Sequence, residues 1–231
     1  GFKIWQTTWD AYYQKHMSIV RPFVQQNAAD LLVAVNTKLT EDETRKLIDE
    51  QLRRVGWEVD THNLRYSKGT RPQKGKKIAI AEWPVSSPTS KDHRADYALF
   101  IDEKLIGIIE AKSYEKSVYS IIDNQCNEYA KNIKDEDEKY LLGKWGKYQV
   151  PFVFATNGRP YLKQIETESG IWFQDLRKET NNPIALQGWY SPEELMAKFI
   201  QNVDEADQKL SNLPYDFLRD PDGLNFRHYQ L

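Results

Sequence analysis

The stretch Arg94–Lys112, RADYALFIDEKLIGIIEAK, decides how this chain is read. Ala95–Ile101 and Leu105–Ala111 are rich in Ile, Leu, Tyr and Phe, residues suited to a pleated, half-buried surface, and polar Asp102-Glu103-Lys104 joins them. The pattern predicts a β-hairpin. If the loop holds three residues centred on Glu103, facing residues have numbers summing to 206, twice 103, and Asp96 stands across from Glu110. Directly opposed side chains share a face, as do side chains two apart on one strand, so Asp96, Glu110 and Lys112 project together. Opposed carboxylates repel unless a cation lies between them or one takes a proton. A divalent metal is one resolution, since Mg²⁺ is held by one or two carboxylates with water and phosphate oxygens. The other reading is a surface hairpin whose charges are solvated. The metal reading depends on parity: a two- or four-residue loop turns Asp96 and Glu110 to opposite faces unless a bulge restores the count.

Composition bounds the rest. A chain of 231 residues with 40% hydrophobic and 13% aromatic content is long enough for a globular core. A net charge of −2 means that any nucleic-acid surface is a local patch. One cysteine, Cys126, excludes an internal disulfide framework and a thiolate zinc cluster. No apolar run approaches the ~18 residues of a membrane span, and no secretory h-region opens the chain, so a cytoplasmic location without membrane contact is expected.

Residues 1–36 carry aromatic side chains at helical spacing (Trp5, Trp9, Tyr12, Tyr13) and are predicted to be a helical extension, with the stripe packing on the rest of the chain. Thr40-Glu41-Asp42-Glu43 opens the next helix with a capping box, and Leu47, Ile48, Leu52 and Val55 give it a buried face. Glu43 has two candidate roles, the cap or a supporting carboxylate reaching the hairpin. The loop RYSKGTRPQKGKK carries six basic residues, Arg65, Lys68, Arg71, Lys74, Lys76 and Lys77, either contacting DNA phosphates or simply solvated. Its glycines do not match a Walker A loop. Ile78–Trp83 is predicted to be a strand; Glu82 could face the site or be solvated at the strand end.

After the hairpin, Val118–Ile133 is predicted to be one amphipathic helix, with Gln125 and Tyr129 four apart on its apolar side. A glutamine there needs a partner, because burying its amide unsatisfied costs ~1–3 kcal/mol. Val150–Ala155 has the continuous apolar run of a strand covered on both faces. Tyr161–Glu166 and Gly170–Leu176 are expected to form a second hairpin, and Ser191-Pro192-Glu193-Glu194 to start a helix running toward Leu210. Residues 212–231 have the punctuation of a connector. The order predicts an α/β fold with a mixed central sheet flanked by helices.

Asp96, Glu110-Ala111-Lys112 and the following Gln125-x-x-x-Tyr129, in this order of elements, resemble the PD-(D/E)xK nuclease superfamily. More narrowly the chain resembles the N-terminal endonuclease domain of the restriction (motor) subunit of type I restriction–modification enzymes. ETRKLIDEQLRRVGWEVD, KIAIAEWP, RADYALFI, KLIGIIEAK, QCNEY, PFVFATNGRPYLKQIE, SGIWFQDLR and GWYSPEEL carry the likeness over roughly residues 40–195, and the closing LNFRHYQL resembles the lead-in to the helicase motor.

The resemblance implies a restriction-endonuclease-like fold over residues 37–211, between the helical extension and the connector. It implies Mg²⁺, with Mn²⁺ as substitute, held by Asp96, Glu110 and the Ala111 carbonyl. Lys112 would act on the attacking water, Gln125 and Tyr129 would support the site, and Glu43 would do so from its helix. It further implies double-stranded DNA as substrate, methyltransferase and specificity subunits as partners, and ATP used by a motor lying elsewhere. Ala95 stands where the superfamily name has proline; only the aspartate is a ligand. The competing reading is a non-catalytic module of the same fold that docks DNA or a partner subunit. A Ser/His hydrolase site has no support, since His16, His62, His93 and His228 are scattered without a nucleophile motif.

Overall fold

The computed structural model describes residues 39–86 and 93–201. The expected helical extension over 1–36, the connector over 212–231 and the continuation of the last helix toward Leu210 lie outside those residues, as do His16 and His228. The chain divides into two compact units, Gly1–Pro192 and Glu193–Leu231; the sheet lies in the first, and in the second the described part is most of a short helix, α4 (Pro192–Ile200). No helix among the described residues is long and apolar enough to cross a membrane.

The sheet has seven strands in chain order: β1 (Glu58–Val59), β2 (Lys77–Pro84), β3 (Arg94–Ile101), β4 (Lys104–Ala111), β5 (Phe152–Thr156), β6 (Ile171–Asp175) and β7 (Ile184–Ala185). It is mixed, as expected: β1 with β2 and β4 with β5 are parallel, and the other neighbours are antiparallel. Every residue of β5 is buried, in keeping with its apolar run. The two-residue strands β1 and β7 are too short to leave a pattern in the sequence.

The central hairpin is closed by two residues, not three. Ile101 pairs with Lys104, leaving Asp102-Glu103 as the turn. Asp102 adopts φ +54, a left-handed conformation that Asp tolerates better than most residues. Its carboxylate accepts from the Gly75 N–H at 2.6 Å, and its own N–H donates to the Lys76 carbonyl at 2.7 Å. Left alone, this turn would put Asp96 and Glu110 on opposite faces. A bulge at Ile106 corrects it: Phe100 pairs with Leu105, but Leu99 pairs with Gly107, and Ala98↔Ile108 and Tyr97↔Ile109 follow in the expected register. Leu105 and Ile106 are both fully buried, so the extra residue is held by apolar cover on both faces.

A second irregularity sits beside it. Glu82, inside β2, adopts φ +54, and the pairs Ala81↔Tyr97 and Trp83↔Ala95 flank it and Asp96. Ile80 and Trp83 on β2, and Ala95 and Ala98 on β3, join the same apolar cluster although each pair is three apart. Both strands therefore turn over at Glu82 and Asp96, next to the acidic pair.

That cluster is completed by the segment after the hairpin. The single helix expected over Val118–Ile133 is interrupted: α2 (Tyr119–Ile121) leads into a π-helical turn (Ile122–Cys126) and then α3 (Asn127–Lys131). Val118, Ile122, Cys126, Tyr129, Ala130 and Ile133 all reach the core. The expected second hairpin is also different. Tyr161–Glu166 forms no strand; β6 pairs instead with β5, Phe154 opposite Phe173. Thr156 Oγ1 donates to the Gly170 carbonyl at 2.8 Å, and Arg159 pairs with Glu168 at 2.8 Å, closing the intervening loop on itself.

α1 (Glu41–Arg54) begins with the expected capping box and buries Thr44, Ile48, Asp49 and Leu52. Asp49 fastens it to the sheet: its carboxylate accepts from the Thr61 N–H and Oγ1, both at 2.7 Å, and from the Tyr97 hydroxyl at 2.9 Å. Asp49→Ala leaves buried donors without an acceptor, and urea denaturation is expected to show a loss of about 2–4 kcal/mol.

Candidate active site

The site grows from the hairpin's corrected register. Asp96 near the start of β3 and Glu110 near the end of β4 are 13% and 5% exposed in their side chains. Two carboxylates brought out of water together are costly, and the surroundings compensate in different ways for each. Asp96 Oδ2 accepts the Ala111 N–H at 2.7 Å, a bond across the hairpin. Asp96 Oδ1 accepts from Arg45 Nη2 on α1, also at 2.7 Å. Burial pushes the Asp96 carboxyl above its usual range, and Arg45 and the Ala111 N–H pull against that.

Glu110 is less well compensated. Lys112 Nζ lies 2.5 Å from Oε1 and Gln125 Nε2 lies 2.6 Å from the same oxygen. Oε2 is buried with no hydrogen-bond partner. Burial first, and then the charge of Asp96, pushes the Glu110 carboxyl up to about 8. Gln125, in the π-helical turn, also donates to the Tyr129 hydroxyl at 2.7 Å, so the partner required for its amide is the acidic site itself.

Asp96, Glu110, Ala111, Lys112, Gln125 and Tyr129 are thus brought together, from β3, β4, the residue following β4, the π-helical turn and α3. Glu43 is placed otherwise: its Oε2 accepts from the Thr40 N–H and Oγ1, both at 2.8 Å, so its carboxylate serves the cap. The residue of that helix that reaches the acidic pair is Arg45, which the sequence reading missed. Its signal was present, since Arg45 and Asp49 are charged residues four apart, flanking the buried Thr44 and Ile48. Glu82 is at the site as well, ion-paired with Arg65 and 3.4 Å from Arg94.

The basic loop is more committed to the fold than six solvated cations would be. Arg65 holds Glu82, Arg71 stacks 3.6 Å from the Tyr66 ring centroid and donates to the carbonyls of Tyr66 and Thr70, and Lys76 pairs with Glu58 at 2.7 Å. Lys68, Lys74 and Lys77 are exposed. His93 lies 6.1 Å from the Tyr129 ring, centroid to centroid, and His62 faces Asp42 on the surface.

Chemically, the pair offers carboxylate oxygens on two neighbouring strands, one of them orphaned, beside a lysine and a glutamine. Among the described residues no group of three or more His, Cys, Asp or Glu is arranged to hold a metal ion. Two carboxylates with remaining positions open to water and phosphate are a donor set that fits Mg²⁺ and not zinc.

Three comparisons bear on the chain. The family described as type I restriction enzyme EcoKI endonuclease subunit second domain matches residues 58–199, from β1 into α4. The type I restriction enzyme EcoKI endonuclease subunit of Escherichia coli (strain K12) is 32% identical over 234 residues, covering 91% of this chain and 20% of the relative; the chain spans about a fifth of that protein's length. No solved structure matches.

The raised Glu110 carboxyl gives a signed expectation. Its folded value lies above the ordinary 4.5, so the folded protein keeps a proton that the unfolded chain releases between about pH 4.5 and 8. That contribution to stability is full below the lower value and is lost as pH rises through the window. A divalent ion bound at this carboxylate would compete with the proton, so on that reading thermal unfolding with MgCl₂ or MnCl₂ should show a larger stabilisation at about pH 8 than at about pH 6. Glu110→Gln should abolish both the ion's effect and this part of the pH dependence.

Proposed function

This chain belongs to the type I restriction enzyme endonuclease subunit family, and from that premise we propose that its hairpin site hydrolyses DNA phosphodiester bonds with a divalent metal ion. The observation that carries the reading is the pairing of buried Asp96 and Glu110, with Glu110 Oε1 held by Lys112 and Gln125 and Oε2 left without a partner. Asp96 and Glu110, with the Ala111 carbonyl, would hold Mg²⁺ or Mn²⁺. When bound, the ion neutralises charge on the scissile phosphate and lowers the pKa of water. Lys112 directs the attacking water and meets the charge that develops on the phosphate oxygens. Gln125, hydrogen-bonded to Tyr129, fixes the Glu110 carboxylate and so its approach to the ion.

The mixed sheet and its acidic hairpin support membership of the PD-(D/E)xK class. The N-terminal helical extension, the endonuclease domain over 37–211 and the connector over 212–231 complete the layout we propose. The substrate is double-stranded DNA, with methyltransferase and specificity subunits as partners. ATP is used by a motor outside this chain, and the assembly works in the cytoplasm.

One observation favours the second reading, a docking module without catalysis: each carboxylate already has a cationic partner within the chain, Arg45 for Asp96 and Lys112 for Glu110. Metal-dependent stabilisation separates the two, because a docking module gains none through Asp96 and Glu110. For the nuclease reading, Asp96→Ala, Glu110→Ala and Lys112→Ala are each expected to abolish DNA cleavage by the intact enzyme, with folding and DNA translocation unchanged. Full cleavage by the triple variant contradicts the assignment.

A further inference from the structure

Glu82 gathers three guanidinium groups from three separate parts of the chain. Arg65, at the start of the basic loop, pairs with Oε1; Arg94, the first residue of β3, places Nη1 3.4 Å from Oε2; Arg45, on α1, places Nη1 3.9 Å from Oε1. Glu82 achieves this from φ +54, a conformation unfavourable for glutamate, at the point where β2 turns over beside Asp96. Strained backbone persists where its surroundings over-determine it, and here the surroundings are the three arginines.

Glu82 and Asp96 together set two negative charges against three guanidiniums. Arg45 has further partners in Asp96 and in Glu41, but Glu41 lies on the exposed surface of α1, where solvent screens it. Arg94 is 50% exposed with Glu82 as its partner. Arg65 keeps its Nε donor buried and unpartnered, so pairing with Glu82 leaves hydrogen-bonding capacity unused. The cluster therefore carries excess positive charge, in planar forks whose geometry matches a phosphate better than a lysine ammonium does. It lies directly beside Asp96, through the shared Arg45.

We propose that Arg45, Arg65 and Arg94, gathered by Glu82, bind a DNA backbone phosphate neighbouring the one cleaved at Asp96 and Glu110. The proposal rests on the nuclease reading for the position of the cleaved phosphate, but not for the binding itself. It assigns the cluster no role in choosing sequence, since phosphate contacts position a duplex without reading it. The exposed Lys68 and Lys74 continue positive charge from Arg65 along the same loop.

The test is binding of a fluorescent duplex of arbitrary sequence to this chain, with EDTA present and KCl varied. Arg94→Gln, at a half-exposed position, is expected to weaken binding and flatten its salt dependence, while Arg94→Lys keeps the salt dependence and loses affinity. The Arg45→Gln/Arg94→Gln double variant should lose about 0.9 from the slope of log affinity against log salt, the amount for one phosphate contact. Unchanged affinity and slope in both Gln variants, with wild-type melting temperatures, overturns the proposal, and so does a wild-type chain without salt-dependent duplex binding. Losses as expected, in an intact enzyme that fails to cleave DNA with Mg²⁺ or Mn²⁺ supplied, retain the phosphate cluster and remove the nuclease reading. Cleavage that depends on Asp96 and Glu110 alongside unaffected binding does the reverse.

Discussion

Two carboxylates held out of water on adjacent strands are the constraint around which the rest of the first unit is arranged. Asp96 and Glu110 repel each other, and burial penalises the charge on both. Arg45, the Ala111 N–H, Lys112 and Gln125 offset part of that cost, and they come from α1, the end of β4 and the π-helical turn. α1 is fixed by Asp49 to Thr61 and Tyr97, which sets Arg45 over Asp96. The π-helical turn sets Gln125 on Glu110. The compensation is incomplete, and the orphaned Glu110 oxygen is where it stops.

Backbone irregularities do much of the placing. A two-residue turn and a one-residue bulge at Ile106 together give the face relationship that a three-residue turn gives alone. The left-handed Glu82 turns β2 over beside Asp96, and the π-helical turn adds a residue to a helix that faces Glu110. The left-handed Glu82 and the π-helical turn lie beside the acidic pair, while the hairpin turn and the bulge act on it from farther along β3 and β4.

Much of this was legible in the residues. Alternating and continuous apolar runs report how a strand is covered, so β2 to β5 and the mixed sheet followed from composition and spacing. The opposition of Asp96 and Glu110 followed from parity, although the turn assumed for it had one residue too many and the bulge supplied the difference. A bulge at Ile106 leaves no mark, because Leu105 and Ile106 suit a regular buried strand equally well. The capping box of Thr40 and Glu43 was plain, while Arg45 was hidden behind it, since an arginine on a helix is ordinarily a surface residue. The π-helical turn and the pairing of β6 with β5 depend on tertiary packing that local propensity does not carry.

The central claim is that Asp96 and Glu110 share a divalent ion. Crystals of this chain soaked in MnCl₂, with anomalous data, address it most directly. The expected result is a peak between the two carboxylates, about 2.1 Å from an oxygen of each, with Glu110 Oε2 no longer without a partner. Absence of that peak, with Arg45 still on Asp96 and the Glu110 oxygen still unligated, would contradict it.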